Sequence, residues 1–424
     1  MKVALLTSGV PPNPTSSGGA VTAWTIMTQL LDLGHEVAVC GLTDPEHYDP
    51  ASRTWAERTQ LIRERGAEFV NVQSGAADYF RTLPRDLRAR LRRAWRPPDA
   101  ELFPALVDRK AMRAAVAQTG AEVAFVYHLD ALASSVDLPV PRFAAVGDPL
   151  HLSTLYRFRE RLPDPRALRG IVALQARARH QPRVLVRLLE ECAAAGAFAA
   201  HHSAWLRGRG VAGCEYLRTP VPDPGAVERR EADRPRILLV GHMKGVVTLE
   251  GLHSFARRIL PVLERELGSD GLEVRIAGGY EPPDDLRKAL DRPSVKMLGH
   301  VEDIAGELRT ATAMLVPNSI ALGIRVRIIT AFSHGACVVS HRANTLGIPE
   351  LSHEQNALIA ASPEGLARET LRAIRDSGVR ELVGDGARTT YEEAFHPRVS
   401  VGHIAETLER IRGVTRATMS ISVP

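Results

Sequence analysis

Val316 to Leu351 reads VPNSIALGIRVRIITAFSHGACVVSHRANTLGIPEL, and the order of residue types in it decides the fold. Just ahead, Ala313 to Val316 is an apolar run closed by Pro317 and Asn318, which suits a buried parallel strand ending in a loop. Gly323 opens a segment in which Val326, Ile329, Ala331 and Phe332 recur near helical spacing, and Gly335 is a natural C-terminal stop. Ala336 to Ser340 then reads as the next strand. This order puts Gly323, Ile324 and Arg325 at a helix N-terminus just beyond a strand's carboxyl end, where unpaired amides and the helix dipole favour an anion such as phosphate. Arg325 and Arg327 add two guanidinium groups, each able to grip phosphate oxygens in bidentate fashion. The plainer alternative is a pair of solvated arginines in an Arg-rich chain.

The same grammar recurs towards the N-terminus. Val3 to Thr7 reads as a strand, followed by a Pro-, Ser- and Gly-rich loop that carries Gly18 and Gly19. A helix with Ala20, Trp24, Met27, Leu30 and Leu31 on one face comes next, Gly34 ends it, and VAVCGL is a second strand, which completes a β-α-β unit. Val123 to Tyr127 ends at His128 and Phe143 to Gly147 at Asp148, the positions where an open parallel sheet presents ligand contacts. Asp148 is suited to accept a proton or hydrogen bond from a ligand hydroxyl, with a turn role ahead of Pro149 as the alternative. Residues 44–110 look less regular, 157–192 read as a basic helical stretch broken at Pro163, Pro165 and Pro182, and Ala195 to Ser203 reads as the last strand of this half.

Towards the C-terminus, Arg236 to Gly241 opens a second sheet and is followed by His242 and Lys244. Leu272 to Ile276 leads to Gly278 and Gly279, and Val295 to Leu298 leads to Gly299, His300 and Val301, with Asp303 placed to cap the next helix. A short strand at Asn356 to Ala360 and three helices follow, at 363–376, 379–393 and 398–413.

At 424 residues the chain is too long for one ordinary core and suits two domains, and 45% hydrophobic with 24% charged residues is a globular composition. The net charge of +5 comes mostly from arginine and is a weak signal. Four widely spaced cysteines, Cys40, Cys192, Cys214 and Cys337, suggest neither a zinc site nor a disulfide framework, which fits a reducing cytoplasm. The first residues are too short for a signal-peptide core, and no apolar run approaches the ~18–20 residues that span a bilayer. The basic run at 81–98 sets Arg85, Arg88, Arg92 and Trp95 at helical spacing. It reads as a solvated helix surface or as a face for peripheral contact with anionic lipid or an acidic acceptor. No recognition motif accompanies it, so nucleic acid is not an expected partner.

The Val316 to Leu351 stretch resembles the nucleotide-sugar segment of retaining GT-B glycosyltransferases of the family-4 type (glycosyl transferases group 1), written G-T-R-[LIV]-K-[IL]-[LI]-E-A-x-A-x-G-x-P-V-V. Gly323, Arg325, Val326, Arg327, Ile328, Ile329, Ala331, Gly335, Val338 and Val339 match it, with Arg327 in place of the lysine. The opening Gly18-Gly19 and the G-H-E-V-x-V that follows resemble the start of the same family. So does VGHMKGVVTLEGL, although His242 stands where most relatives have arginine and Val247 where a residue count puts their lysine. The family's ribose-gripping glutamate falls on Thr330, and the acidic residue that some relatives carry eight positions earlier falls on Leu322.

The resemblance implies an α/β GT-B fold of two doubly wound, Rossmann-like domains facing a central cleft. The expected spans are 1–230 for the N-terminal acceptor-side domain with its linker, 231–397 for the nucleotide-sugar domain, and 398–424 for a helix that crosses back, with a tail. It implies transfer from a nucleoside-diphosphate sugar, UDP or GDP foremost, to a hydroxyl of a natural product or envelope glycan, with retention and with no metal or other cofactor. Gly18 and Gly19 then lie near the diphosphate or acceptor, and His128 reaches the transferred sugar. Gly241, His242, Lys244, Gly323, Ile324, Arg325 and Arg327 serve the diphosphate, Gly299, His300 and Val301 edge the base, and Thr330 stands at the ribose position. Thr330, Leu322 and Val247 keep an alternative alive, a catalytically silent GT-B protein that binds a nucleotide sugar or pairs with an active enzyme. Homo-oligomerisation is left open.

Overall fold

The computed structural model describes residues 1–16, 18–44, 52–83, 86, 95–149, 151–152, 168–230 and 232–421. Two compact units divide the chain, Met1–Pro220 with Ser400–Pro424, and Val221–Val399. The basic positions Arg85, Arg88 and Arg92, and Pro163 and Pro165, lie outside the described residues.

The first unit is built on seven strands: β1 (Lys2–Ser8), β2 (Glu36–Thr43), β3 (Glu68–Gln73), β4 (Val123–Tyr127), β5 (Arg142–Val146), β6 (Ala194–Ala197) and β7 (Glu215–Tyr216). They lie in the order β3-β2-β1-β4-β5-β6-β7 with every neighbouring pair parallel. β4 and β5 are buried at every residue and β1 at its five central ones, the signature of strands covered on both faces. Leu5 is opposite Val39 of β2 on one side and Phe125 of β4 on the other. The order reverses between β1 and β4, which makes their carboxyl ends the switch point of this sheet.

Three local expectations change in this unit. The stretch read as irregular holds a helix, Arg53–Glu64, that buries Trp55, Thr59 and Ile62, and then β3. Ala195 to Ser203 is not one strand: β6 stops at Ala197 and a helix runs Ala200–Arg207. The helix Leu168–Glu190 continues through Pro182, which costs it a backbone hydrogen bond without ending it.

Six strands form the second unit: β8 (Arg236–Val240), β9 (Glu273–Ala277), β10 (Val295–Gly299), β11 (Ala313–Val316), β12 (Val338–His341) and β13 (Leu358–Ala360). Their order is β10-β9-β8-β11-β12-β13, again parallel throughout. Strand alternation splits the apolar side chains cleanly between two layers. Ile237, Leu239, Leu315 and Val339 enter one, and Leu238, Met314, Val316 and Val338 enter the other. This sheet turns at β8 and β11, so its switch point lies beyond Val240 and Val316. At the opposite, amino ends, Glu273 is 4% exposed and accepts from Arg236 at 3.1 Å and from Arg275 at 3.0 Å, with Lys296 also 3.0 Å away. Burial alone raises this carboxyl, but the bonds from Lys296, Arg275 and Arg236 outweigh it and hold the group down to about 2.

Candidate functional site at the switch point of the second sheet

At the carboxyl ends of β10, β9 and β8 the loops are stitched to one another by backbone. Gly278 N–H donates to Gly299 O at 2.7 Å, Gly241 N–H to Ala277 O at 2.9 Å and Met243 N–H to Gly279 O at 3.2 Å. The approach is so close that a Cβ on Gly278 would overlap the Gly241 carbonyl oxygen. A Cβ on Gly241 would overlap the Arg327 guanidinium and come within 2.7 Å of Thr248 Cγ2. The result is a floor of closely packed peptide groups without side chains.

Arg327 lies over that floor. The helix Val326–Ser333 starts three residues beyond Gly323, whose φ of +67° makes the turn into it. Ile328 N–H is taken by Arg325 O at 2.8 Å, while helix geometry leaves the amides of Val326 and Arg327 without an intrahelical acceptor. The Arg327 guanidinium donates to Val240 O and, at 2.8 Å, to Asn318 Oδ1. Asn318 is itself 3% exposed and is fixed by its amide group on Val247 O at 2.5 Å. Both oxygens on Arg327 are neutral. Burial, with the Arg325 guanidinium adding to it, pushes Arg327 down to about 9. A small pocket between the two strand ends is lined by Gly241, Thr248, Gly251, Pro317, Asn318 and Arg327.

Among the sequence-derived residues, Gly241, Arg327 and the helix front come together here, and Arg325 sits at the helix N-cap with its side chain on Leu322 O. Thr330 lies one turn along and donates its hydroxyl to Val326 O at 3.2 Å. Val247, on which a residue count put the second cation, is inside the helix Val246–Ser254 and 8% exposed. The loop from Gly241 to Gly245 is short, so the cation at the front of that helix is Lys244, which is exposed. His242 accepts from Lys244 N–H at 3.3 Å. Gly299 has φ +66°, His300 is exposed, and Val301 is partly buried against the layer of Val316 and Ile328. Asp303 caps its helix by accepting from Gly306 N–H at 2.9 Å.

In the first unit, His128 occupies the corresponding switch point between β1 and β4. It has φ +78°, its N–H donates to Ala145 O at 3.0 Å, and its ring fits between two glycines. A Cβ on Gly19 would come within 3.2 Å of Nε2, and one on Gly147 within 3.3 Å of Nδ1. Burial pushes the imidazole down to about 4, so it is neutral at pH 7. Gly18 opens the helix Gly18–Asp32, with open space where a Cβ would stand. Ahead of it, the loop is organised by Asn13, which is 1% exposed and accepts from Thr15 N–H at 3.2 Å and Ser16 N–H at 2.9 Å. Asp148 Oδ1 is 3.7 Å from Nδ1 of the buried His202 and is 40% exposed.

Residues 234–376 match the family model of glycosyl transferases group 1. The match lies within the C-terminal unit, Val221–Val399. The whole chain has the GT-B fold, two Rossmann-like parallel-sheet units shared with solved glycosyltransferase structures at 7–14% identity. It resembles sucrose-phosphate synthase from Thermosynechococcus elongatus at 14% identity and TM-score 0.67, covering 99% of this chain and 100% of that one. Anabaena HepE in complex with UDP is similar at 13% identity and TM-score 0.63, covering 97% and 100%. TarM of S. aureus, crystallised as a point mutant with fondaparinux, alpha-GlcNAc-glycerol and UDP, is similar at 7% identity and TM-score 0.65, covering 96% and 99%. A comparison with curated proteins finds no match.

Sequence reasoning passed over Asn318, Gly278 and Thr248 as site residues. A signal for Gly278 was present: glycines follow β8, β9 and β10 in turn, and neighbouring strands that all end on glycine make a side-chain-free floor. Asn318 and Thr248 act only through contacts that the fold creates. Among the described residues no cluster of three His, Cys, Asp or Glu side chains is placed to hold a metal ion, and no helix is long and apolar enough to cross a membrane.

Proposed function

We propose that this glycosyltransferase moves a sugar from a nucleoside-diphosphate sugar to an acceptor hydroxyl, with retention and without a metal, and that the diphosphate settles on the Gly241 floor at the front of the Val326 helix. The observation that carries this reading is Arg327. A guanidinium is rarely buried on neutral oxygens alone, and a diphosphate beside it would supply the missing countercharge. The helix-front amides of Val326 and Arg327, with Lys244 and Arg325, add donors to the same anion. As the sugar–phosphate bond breaks, these groups stabilise the charge gathering on the leaving phosphate, whose oxygen takes the acceptor's proton. Gly299, His300 and Val301 are assigned to the base and Thr330 to the ribose edge. In the N-terminal unit, Gly18 and Gly19 are assigned near the donor or acceptor, neutral His128 to a sugar hydroxyl, and Asp148 to the acceptor. A natural product or an envelope glycan supplies the hydroxyl.

HepE and TarM were crystallised with UDP, which makes UDP-sugars the first donors to try, GDP-sugars next. The test is incubation with UDP-, GDP- and dTDP-sugars, following nucleotide release with and without candidate acceptors. Release with at least one donor, unchanged in EDTA, is the expected result. Binding of a nucleotide sugar with no release under any condition would overturn the catalytic reading, and activity lost in EDTA and restored by Mn²⁺ would overturn the metal-independent one.

A further inference from the structure

Tyr280 follows the Gly278-Gly279 pair at the end of β9 and breaks two ordinary rules at once. It is a bulky residue at φ +72°, in the left-handed region that glycine enters without cost, and it is 58% exposed. Neither burial nor backbone preference explains a tyrosine at this place. Its ring contacts supply a reason. The Lys244 ammonium lies 3.8 Å from the ring centroid, over the π face, and the His242 imidazole meets the ring in a T-shaped contact at 4.7 Å. His242 in turn accepts the Lys244 backbone N–H at 3.3 Å, and Met243 N–H reaches across to Gly279 O at 3.2 Å, so the two loops are locked together at the ring.

We propose that Tyr280 is a positioning residue for the diphosphate: its face holds the Lys244 ammonium in place at the β8 loop, leaving the outward N–H groups for a phosphate oxygen. A lysine stem has four rotatable carbons, and an exposed one loses much of its freedom when an anion orders it. A ring that has already fixed the ammonium removes part of that loss, while the positive charge stays in full. The assignment rests on the donor reading above, and it makes Tyr280, His242 and Lys244 one unit.

The test measures UDP and GDP affinity by calorimetry for the full chain carrying Tyr280→Phe, Tyr280→Leu and Tyr280→Gly, each also combined with Lys244→Met. The expected result is near-normal binding for Tyr280→Phe and a loss of about fivefold for Tyr280→Leu, the size of an exposed cation–π contact plus ordering, which vanishes in the Lys244→Met background. Tyr280→Gly binds as poorly as Tyr280→Leu yet melts no lower than wild type, since glycine relieves the backbone strain. A Tyr280→Leu loss that persists in the Lys244→Met background, or equal behaviour of Phe and Leu, would overturn the assignment. Failure of the wild-type chain to bind either nucleotide removes the donor reading and Tyr280 with it. Wild-type binding that Tyr280→Leu leaves unchanged removes Tyr280 alone.

Discussion

Arg327 holds its charge in an uncomfortable place, on two neutral oxygens and against a glycine that leaves no room for a side chain. If a diphosphate is what completes it, Arg327→Gln lowers kcat/KM by about a hundredfold, the usual cost of one transition-state donor, while the circular dichroism spectrum is kept. His128 yields a pH prediction whose sign follows from its burial. Its imidazole is held at about 4 in the folded chain against an ordinary 6.5, so below pH 6.5 the unfolded chain takes up the proton first. The His128 contribution to folding stability is therefore lost between pH 6.5 and 4 and is constant below, where the lowered Glu273 carboxyl continues the loss. His151 is pushed down to about 4 as well, by burial and the nearby Arg209, so His128→Asn should flatten the slope seen by urea denaturation without abolishing it. At this scale the sequence made Arg325 and Arg327 visible through their motif, but not their difference. Which guanidinium lies over Gly241 depends on Asn318 and Val240, contacts that only the assembled switch point creates.

Elements were legible where residue types left one solution. The runs Val3–Leu6 within β1, and β4 and β11 whole, are apolar throughout, which only a strand covered on both faces or a buried helix accommodates, and their shortness selects the strand. The Ala195 to Ser203 stretch failed because alanine fits both states, and the turn at Phe198 and Ala199 carries neither glycine nor proline. Arg53–Glu64 was missed since its core face has just Trp55, Thr59 and Ile62, a sparse stripe in a polar segment. The two ends of the second sheet do different work, and mutations should separate them. Glu273→Ala at the amino ends leaves Arg236 and Lys296 without their carboxylate, while Arg275 keeps Glu307, and should cost roughly 3 kcal/mol of stability by chemical denaturation with little change in KM. Gly278→Ala at the carboxyl ends pushes a methyl group into the Gly241 carbonyl, backbone that cannot move aside cheaply, so it should weaken nucleotide binding and lower the melting temperature together.

At the scale of the molecule, both units place their singular residues at the point where strand order reverses: His128 between β1 and β4, Arg327 between β8 and β11. That placement could be read from the alternation of strands and helices, because a doubly wound sheet leaves its ligand groups at the carboxyl ends. Strand order itself could not, since β8 and β11 are brought side by side across more than seventy residues. A ligand bound only by the folded chain stabilises it by about 2.7 kcal/mol at a hundredfold excess over Kd, so UDP or GDP should raise the melting temperature by a few degrees. The most direct measurement is a crystal structure of the chain with UDP or a UDP-sugar. The diphosphate should lie against Gly241 and the amides of Val326 and Arg327, with the Arg327 guanidinium and Lys244 ammonium on its oxygens. A nucleotide bound elsewhere, with Arg327 still closed on Val240 and Asn318, would contradict the account.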